Sequence, residues 1–308
     1  MGSINFINLG MRTGEATLTV KLQYKHFETG EFEQEQKRTY AQTISLIENF
    51  PWEKERDKIN IDLTCSSITV QNDTNSFLKL SLYYNQKFVL YFFDGETLYS
   101  KSLLSFSESF PLLQDYFQTC TVDLSVFRRE NTMLKNVKRH FISNDFIYKI
   151  EPGNFLTYTD FMTRLFLTGY LFLISFAIYK HLSTNPSTAA LIILILAFPL
   201  LGGMNLLLVF NYYKNAKGKL LILSKGSTTF TYGATGAATT YKKQDIEEVV
   251  IEKNTARKCP WGDFTMTLIY LNDGTVLKIP SIMLPGNDIA EKLPGIPVST
   301  QQTFIPTY

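Results

Sequence analysis

Two apolar runs, residues 161–179 and 188–213, lie back to back with a short polar turn between them. No other feature constrains the fold as much. The first run carries one charge, Arg164 near its start, and the second carries none. A helix needs about 20 apolar residues to cross a hydrocarbon core of about 30 Å at about 1.5 Å per residue. The pattern therefore predicts a two-helix transmembrane hairpin with spans at about 160–180 and 188–212. Pro199, Gly202, Gly203 and Asn205 predict a kink in the second span. Arg164 is expected to snorkel to the interface, with Tyr179, Tyr212 and Tyr213 in the aromatic belt.

Charges flanking the runs give an expected orientation. Arg139, Lys149 and Arg164 stand before or at the start of the first run, and Lys214, Lys217, Lys219 and Lys225 follow the second. The turn between holds only Lys180 and His181, with Asn185-Pro186 as a breaker. By the positive-inside rule both termini are cytoplasmic and the hairpin sits in a cytoplasmic (inner) membrane, so the lipid bilayer is an expected partner. Residues 1–15 lack a charged, apolar and cleavable leader, in keeping with that placement. Cys65, Cys120 and Cys259 are too scattered for a pairing framework and read as reduced thiols.

The expected fold class is an α+β membrane protein in three parts: an N-terminal cytoplasmic α+β domain (1–155), the transmembrane hairpin (156–213) and a C-terminal cytoplasmic antiparallel β domain with a terminal helix (214–308). In the first part, Ala16, Leu18, Val20, Leu22 and Tyr24 alternate with polar residues, the period of a half-buried strand. A turn at residues 28–31 leads into a polar, edge-like return over 32–40. A short helix ended by Pro51 follows. Apolar stretches at 59–63, 76–83 and 87–93 continue the strands, the last turning at Asp94-Gly95. The Asn72-Asp73-Thr74 sequon reads as a turn.

From Ser107 the period becomes helical, and a second helix is expected over 124–141. Its polar side would carry Arg128, Arg129, Lys135, Lys138 and Arg139, suited to anionic lipid headgroups or to an ordinary solvated face. The aromatic hairpin around Tyr83, Tyr84, Phe88, Tyr91, Phe92, Phe93 and Tyr99 is apolar on both faces, which implies a strand covered on both sides. After the runs, strands are expected at 220–223, 228–232, 239–241, 246–252 and 264–270. Asn272-Asp273-Gly274-Thr275 then turns the chain into a further strand. A short helix over 288–293 precedes a Pro-punctuated tail.

The post-apolar strand, the segment QDIEEVVIE, Trp261 with Phe264, the hairpin LNDGTVLKIPS and the terminal helix together resemble bacterial pleckstrin-homology-like (PH-like) domains. The resemblance covers about 90 residues, leaves the N-terminal domain aside, and implies a scaffold for protein or lipid contact rather than catalysis. Phosphoinositide-binding relatives carry a basic loop where residues 224–227 offer only Lys225.

A net charge of +2 over 308 residues gives no electrostatic case for nucleic acid. His26, His140 and His181 are too dispersed for a triad or a metal site. Residues 233–238 lack the Lys-Ser/Thr ending of a phosphate loop and read as a flexible turn. No acidic residue in either run offers an ion path. The expectation is a non-enzymatic protein without a cofactor that binds a protein partner, with Tyr83, Tyr84 and Trp261 as anchors. A specific form is an immunity protein neutralising a bacterial toxin; the alternative is a structural subunit of an envelope or secretion complex, with homo-oligomers formed through the helices.

Overall fold

Alternation in the N-terminal strands builds a sheet with two chemically different faces. The computed structural model describes residues 16–56, 63–130, 136–151, 153, 155–159, 161–184, 203–254 and 264–303, and the chain divides into two compact units, Met1–Asp145 and Phe146–Tyr308. In the first unit, β1 (Thr17–Gln23), β2 (Glu33–Thr39), β3 (Ser67–Gln71), β4 (Phe77–Leu82), β5 (Phe88–Phe93), β6 (Leu98–Leu103) and β7 (Arg128–Arg129) form one antiparallel sheet. Its order is β2-β1-β3-β4-β5-β6-β7. Three helices, α1 (Tyr40–Asn49), α2 (Trp52–Glu55) and α3 (Phe110–Thr119), cover one face. Ile47, Trp52, Leu113 and Tyr116 pack there against Val20, Ile68, Leu80, Leu90 and Phe92.

Local sequence sets the ends of these elements. Thr39 and Gln42 form a reciprocal capping box at the start of α1, and Pro51 follows its end. Asn85 and Gln86 take positive φ in the β4–β5 turn, the backbone such tight hairpins require. Asn72 Oδ1 accepts from the Thr74 and Ser76 amides, so the sequon is a structured turn between β3 and β4.

The second face of this sheet differs from expectation. Alternation predicts a half-buried β1 with Lys21 and Gln23 in solvent, yet both are fully covered. Val137, Phe141 and Leu63 close over this face against Phe77, Val89, Tyr91 and Phe93. All six residues of β5 are buried, as its two apolar faces imply.

In the second unit, β8 (Ile147–Lys149), β9 (Lys219–Ile222), β10 (Thr229–Ala234) and β11 (Ala237–Lys242) form a sheet of order β11-β10-β9-β8. A second sheet, of order β14-β13-β12-β15, contains β12 (Ile246–Asn254), β13 (Thr265–Leu271), β14 (Val276–Pro280) and β15 (Val298–Thr303). β15 runs parallel to β12, against the expectation of a plain tail. Leu221, Phe230 and Tyr232 of the first sheet share one core with Val249, Ile269 and Ile279 of the second. Helices α4 (Phe161–Thr184) and α5 (Met204–Ala216) are inserted between β8 and β9, and α6 (Gly286–Glu291) closes the unit. Residues 233–238 are the β10–β11 hairpin.

The transmembrane hairpin, and with it the inner-membrane localisation, is overturned: among the described residues no helix is long and apolar enough to cross a membrane. In α4 the uncharged stretch between Arg164 and Lys180 rises about 22 Å at about 1.5 Å per residue, short of the core thickness of about 30 Å. The 13 described residues of α5 rise about 20 Å, and the rest of the second expected span, residues 188–202, lies outside the described residues. The end of α5 also belongs to the protein core. Tyr212 is completely buried, with its ring edge-on to Phe264 at 6.0 Å, and Leu208, Val209 and Ala216 are buried as well. Tyr212 is thus a packing residue and not part of an interfacial belt. The kink positions Pro199 and Gly202 lie outside the described residues.

Candidate interaction surface

Helices α4 and α5 carry most of the exposed large hydrophobic residues described in the second unit, and their bases explain how these are held. Arg164 folds back toward the segment before its helix, donating from Nη2 to the carbonyl oxygens of Thr157 (2.9 Å) and Thr159 (2.8 Å). Its guanidinium therefore tethers the base of α4 instead of reaching for a headgroup. Tyr213 Oη accepts from the Gly153 amide at 2.9 Å and donates to the Gly153 carbonyl at 2.8 Å. The Tyr158 ring lies tilted against Tyr213, 6.0 Å between centres. Tyr170 is the last buried residue described along α4.

Beyond Tyr170 the helix is largely apolar and mostly exposed. Phe172 is 70 % exposed, Leu171 62 % and Phe176 51 %, and Leu173, Ile178 and Tyr179 are exposed too. On α5, Leu207 and Phe210 are likewise exposed. Leu167, Tyr170, Ile174 and Ala177 recur at helical spacing as a covered or half-covered stripe, and the other faces of α4 are open. Large exposed apolar patches are uncommon on folded chains.

The residues singled out from sequence lie elsewhere. Tyr83 and Tyr84 follow β4 with their rings edge-on at 5.3 Å. Tyr83 packs on the second-face cluster, while Tyr84 is 57 % exposed and is the one of the two available to a partner. Trp261 and Lys135 lie outside the described residues. The expected basic helix over 124–141 does not form. Leu124–Val126 and Val137–His140 are separate 3-10 turns, and Arg128 and Arg129 pair with Ser100 and Tyr99 of β6. Arg128, Arg129, Lys138 and Arg139 are all exposed, on two segments instead of one helix face.

Sequence reasoning missed a polar cluster on the second face of the N-terminal sheet. Lys21 and Lys79 occupy one row across β1, β3 and β4, with Thr69 between them in register. Lys79 Nζ donates to Gln23 Oε1 at 2.8 Å and also to the carbonyls of Leu63 and His140. Lys21 Nζ donates to Gln71 Oε1 at 3.3 Å and Ser143 Oγ at 3.2 Å, and lies 4.5 Å from the centre of the Phe32 ring. Its one ion pair among the described residues is Glu35, at 3.9 Å. Burial outweighs that carboxylate and lowers the Lys21 pKa to about 8. The signal in the sequence was Lys79 itself, a lone cation inside the apolar run FLKLSL. Both ammonium groups tie loops to the sheet.

In the second unit, the sheets β8–β11 and β12–β14 followed by the terminal helix α6 supply the decisive comparison. A family model described as PH domain matches residues 147–292. The second unit thus contains a PH-like domain. The match starts at β8 and runs past both helices, so the pair α4–α5 lies within it, between β8 and β9; β15 lies beyond its end. It does not extend into the N-terminal unit. No curated protein matches the chain, and no solved structure matches it. Among the described residues, no group of three or more His, Cys, Asp or Glu comes together as a metal site.

Proposed function

We propose that this chain is a non-catalytic binding protein whose inserted helices α4 and α5 dock an apolar helix of a protein partner. The observation that carries the reading is the run of exposed Leu171, Phe172, Leu173, Phe176, Ile178 and Tyr179 on a helix anchored by Arg164 and Tyr170. A helix hydrophobic all round is normally buried, so α4 is complete only when covered. The family match supports the reading in kind, because a PH-like domain is a scaffold on which inserted elements are displayed. An immunity role, holding a toxin inactive by one-to-one binding, is the narrow form of the proposal. A structural subunit assembling through α4 is the competing form, favoured by the breadth of the exposed apolar surface.

The test is quantitative co-purification of the full chain and of a Phe172→Glu/Phe176→Glu double variant after chemical crosslinking in cells. One partner at fixed stoichiometry, lost in the variant, supports docking of a distinct protein; recovery of the chain itself as a defined oligomer supports the subunit form. Crosslinking that is indifferent to the substitutions, or association of the purified chain with lipid vesicles in place of any protein, overturns the proposal.

A further inference from the structure

A second feature of the PH-like unit is independent of the exposed helix. Where β12 ends, β13 begins and α6 starts, the surface opens into a half-enclosed cleft of about 330 Å³. Its walls are Ile251, Phe264, Ile282 and the ring of Tyr158, and its polar side chains include Lys253 and Asn287. Such a volume is at the lower end of ligand pockets, which run from about 300 to 1,000 Å³. At about 30 Å³ per water-sized group it holds a body of roughly ten heavy atoms.

The cleft is preformed, and hydrogen bonds hold its walls. Ser281 N donates to Thr265 O at 3.0 Å while Ser281 Oγ accepts from Thr265 N at 3.1 Å, which closes the end of the β13–β14 ladder. Tyr158 Oη accepts from the Glu151 amide at 2.8 Å, which fixes that ring as a wall. At the far end α6 lies directly on the sheet: a Cβ on Gly286 would stand 2.8 Å from Thr267 Oγ1 and 2.9 Å from Ile251 Cγ2.

What remains unsatisfied is a charge. Lys253 is half-buried and makes no salt bridge and no hydrogen bond among the described residues. Among the described residues no Asp or Glu lines the cleft. Ile251 and Lys253 are two apart on β12 and so share a face, which places the cation beside the apolar wall. An uncharged apolar ligand would leave Lys253 uncompensated, and an inorganic anion would leave Ile251, Phe264 and Ile282 unused.

We propose that this cleft binds a small amphipathic carboxylate, with its apolar body against Tyr158, Ile251, Phe264 and Ile282 and its carboxylate on Lys253, Asn287 supplying a second donor. The site lies on the described faces of β12, β13 and α6 and uses no residue of α4 or α5.

Hydrocinnamate is a probe of suitable size and hydrocinnamyl alcohol its neutral counterpart. Each is titrated into the full chain and followed by ligand-observed NMR. Hydrocinnamate is expected to bind saturably and about tenfold more tightly than the alcohol, as a charge-assisted contact implies. Lys253→Gln is expected to abolish that preference, Lys253→Arg to retain it, and Ile282→Trp, which fills the cleft, to exclude both compounds. Absence of saturable binding, equal affinity for acid and alcohol, or a preference that survives Lys253→Gln would overturn the assignment.

Discussion

Lys21 offers a prediction whose size follows from its setting. A pKa lowered from 10.5 to about 8 means that, between those values, the unfolded chain carries a proton that the folded chain does not. Stability then rises with pH across that window. A tenfold difference in proton affinity between the folded and unfolded chain corresponds to about 1.36 kcal/mol, so the charged form costs the fold about 3 kcal/mol at neutral pH. About 2 kcal/mol of that is recovered between pH 8 and pH 10. Tyr24, Tyr40 and Tyr116 act in the opposite sense. Burial raises each above its ordinary value of 10.0, so above pH 10 the unfolded chain loses protons that the fold retains, and stability falls. The expected profile is a maximum near pH 10.

Trp52 is a suitable reporter, being buried in the N-terminal core with its ring edge-on to Phe88 at 5.2 Å. The chain has 2 tryptophans, so Trp261→Phe leaves Trp52 as the sole tryptophan fluorophore. Urea unfolding followed through Trp52 from pH 7 to pH 10.5 gives the profile directly. Lys21→Met in the same background is expected to flatten the rise between pH 8 and 10 while leaving the fall above pH 10. A reference chain whose stability is flat or falling from pH 8 to 10, or a Lys21→Met chain with an unchanged rise, refutes the reasoning.

Three further outcomes are expected. Thr39→Ala removes the N-cap oxygen that accepts from Gln42 and should cost the N-terminal unit about 1 kcal/mol in the same urea assay. Gly286→Ala forces a Cβ to within 2.8 Å of Thr267 Oγ1 and should cost the PH-like unit about 1–3 kcal/mol by overpacking, read as a lower thermal midpoint in circular dichroism. Ending the chain after Pro297 removes β15 and bares the edge of β12; concentration-dependent self-association in analytical ultracentrifugation is expected, because an uncovered strand edge pairs with another.

Elements with a strong local signal were legible in the sequence. The β13–β14 hairpin combines strict alternation with an Asp-Gly turn, and α1 carries its own cap and stop. What failed was whatever depends on distant parts of the chain. Alternation in β1 puts Lys21 and Gln23 opposite Val20 and Leu22, but does not reveal what covers them. Their acceptors are distant in sequence: Gln71 at the end of β3 and Ser143 in a loop for Lys21, and the Glu28 carbonyl in a turn for Gln23. Residues 124–141 hold a helical spacing of apolar groups, yet Asp123 caps only one 3-10 turn and β6 draws Arg128 and Arg129 into its ladder. Hydropathy likewise could not tell a span from an inserted helix: residues 208–213 are apolar because Leu208, Val209 and Tyr212 pack within the PH-like unit. β8 was missed because its three residues precede the apolar runs while their partners in β9 follow them. In the proposed cleft, Phe264 stands out in the sequence only through the resemblance, and Lys253 is one more polar residue of a strand.

The central claim is that a protein partner covers α4. A photo-crosslinking amino acid placed at Phe172, and separately at the exposed Tyr84 and Lys278 as references, tests it most directly in the living cell. The account predicts one discrete protein adduct from position 172 and none of that mass from the references. The same adduct from all three positions, or only lipid adducts from position 172, would contradict it.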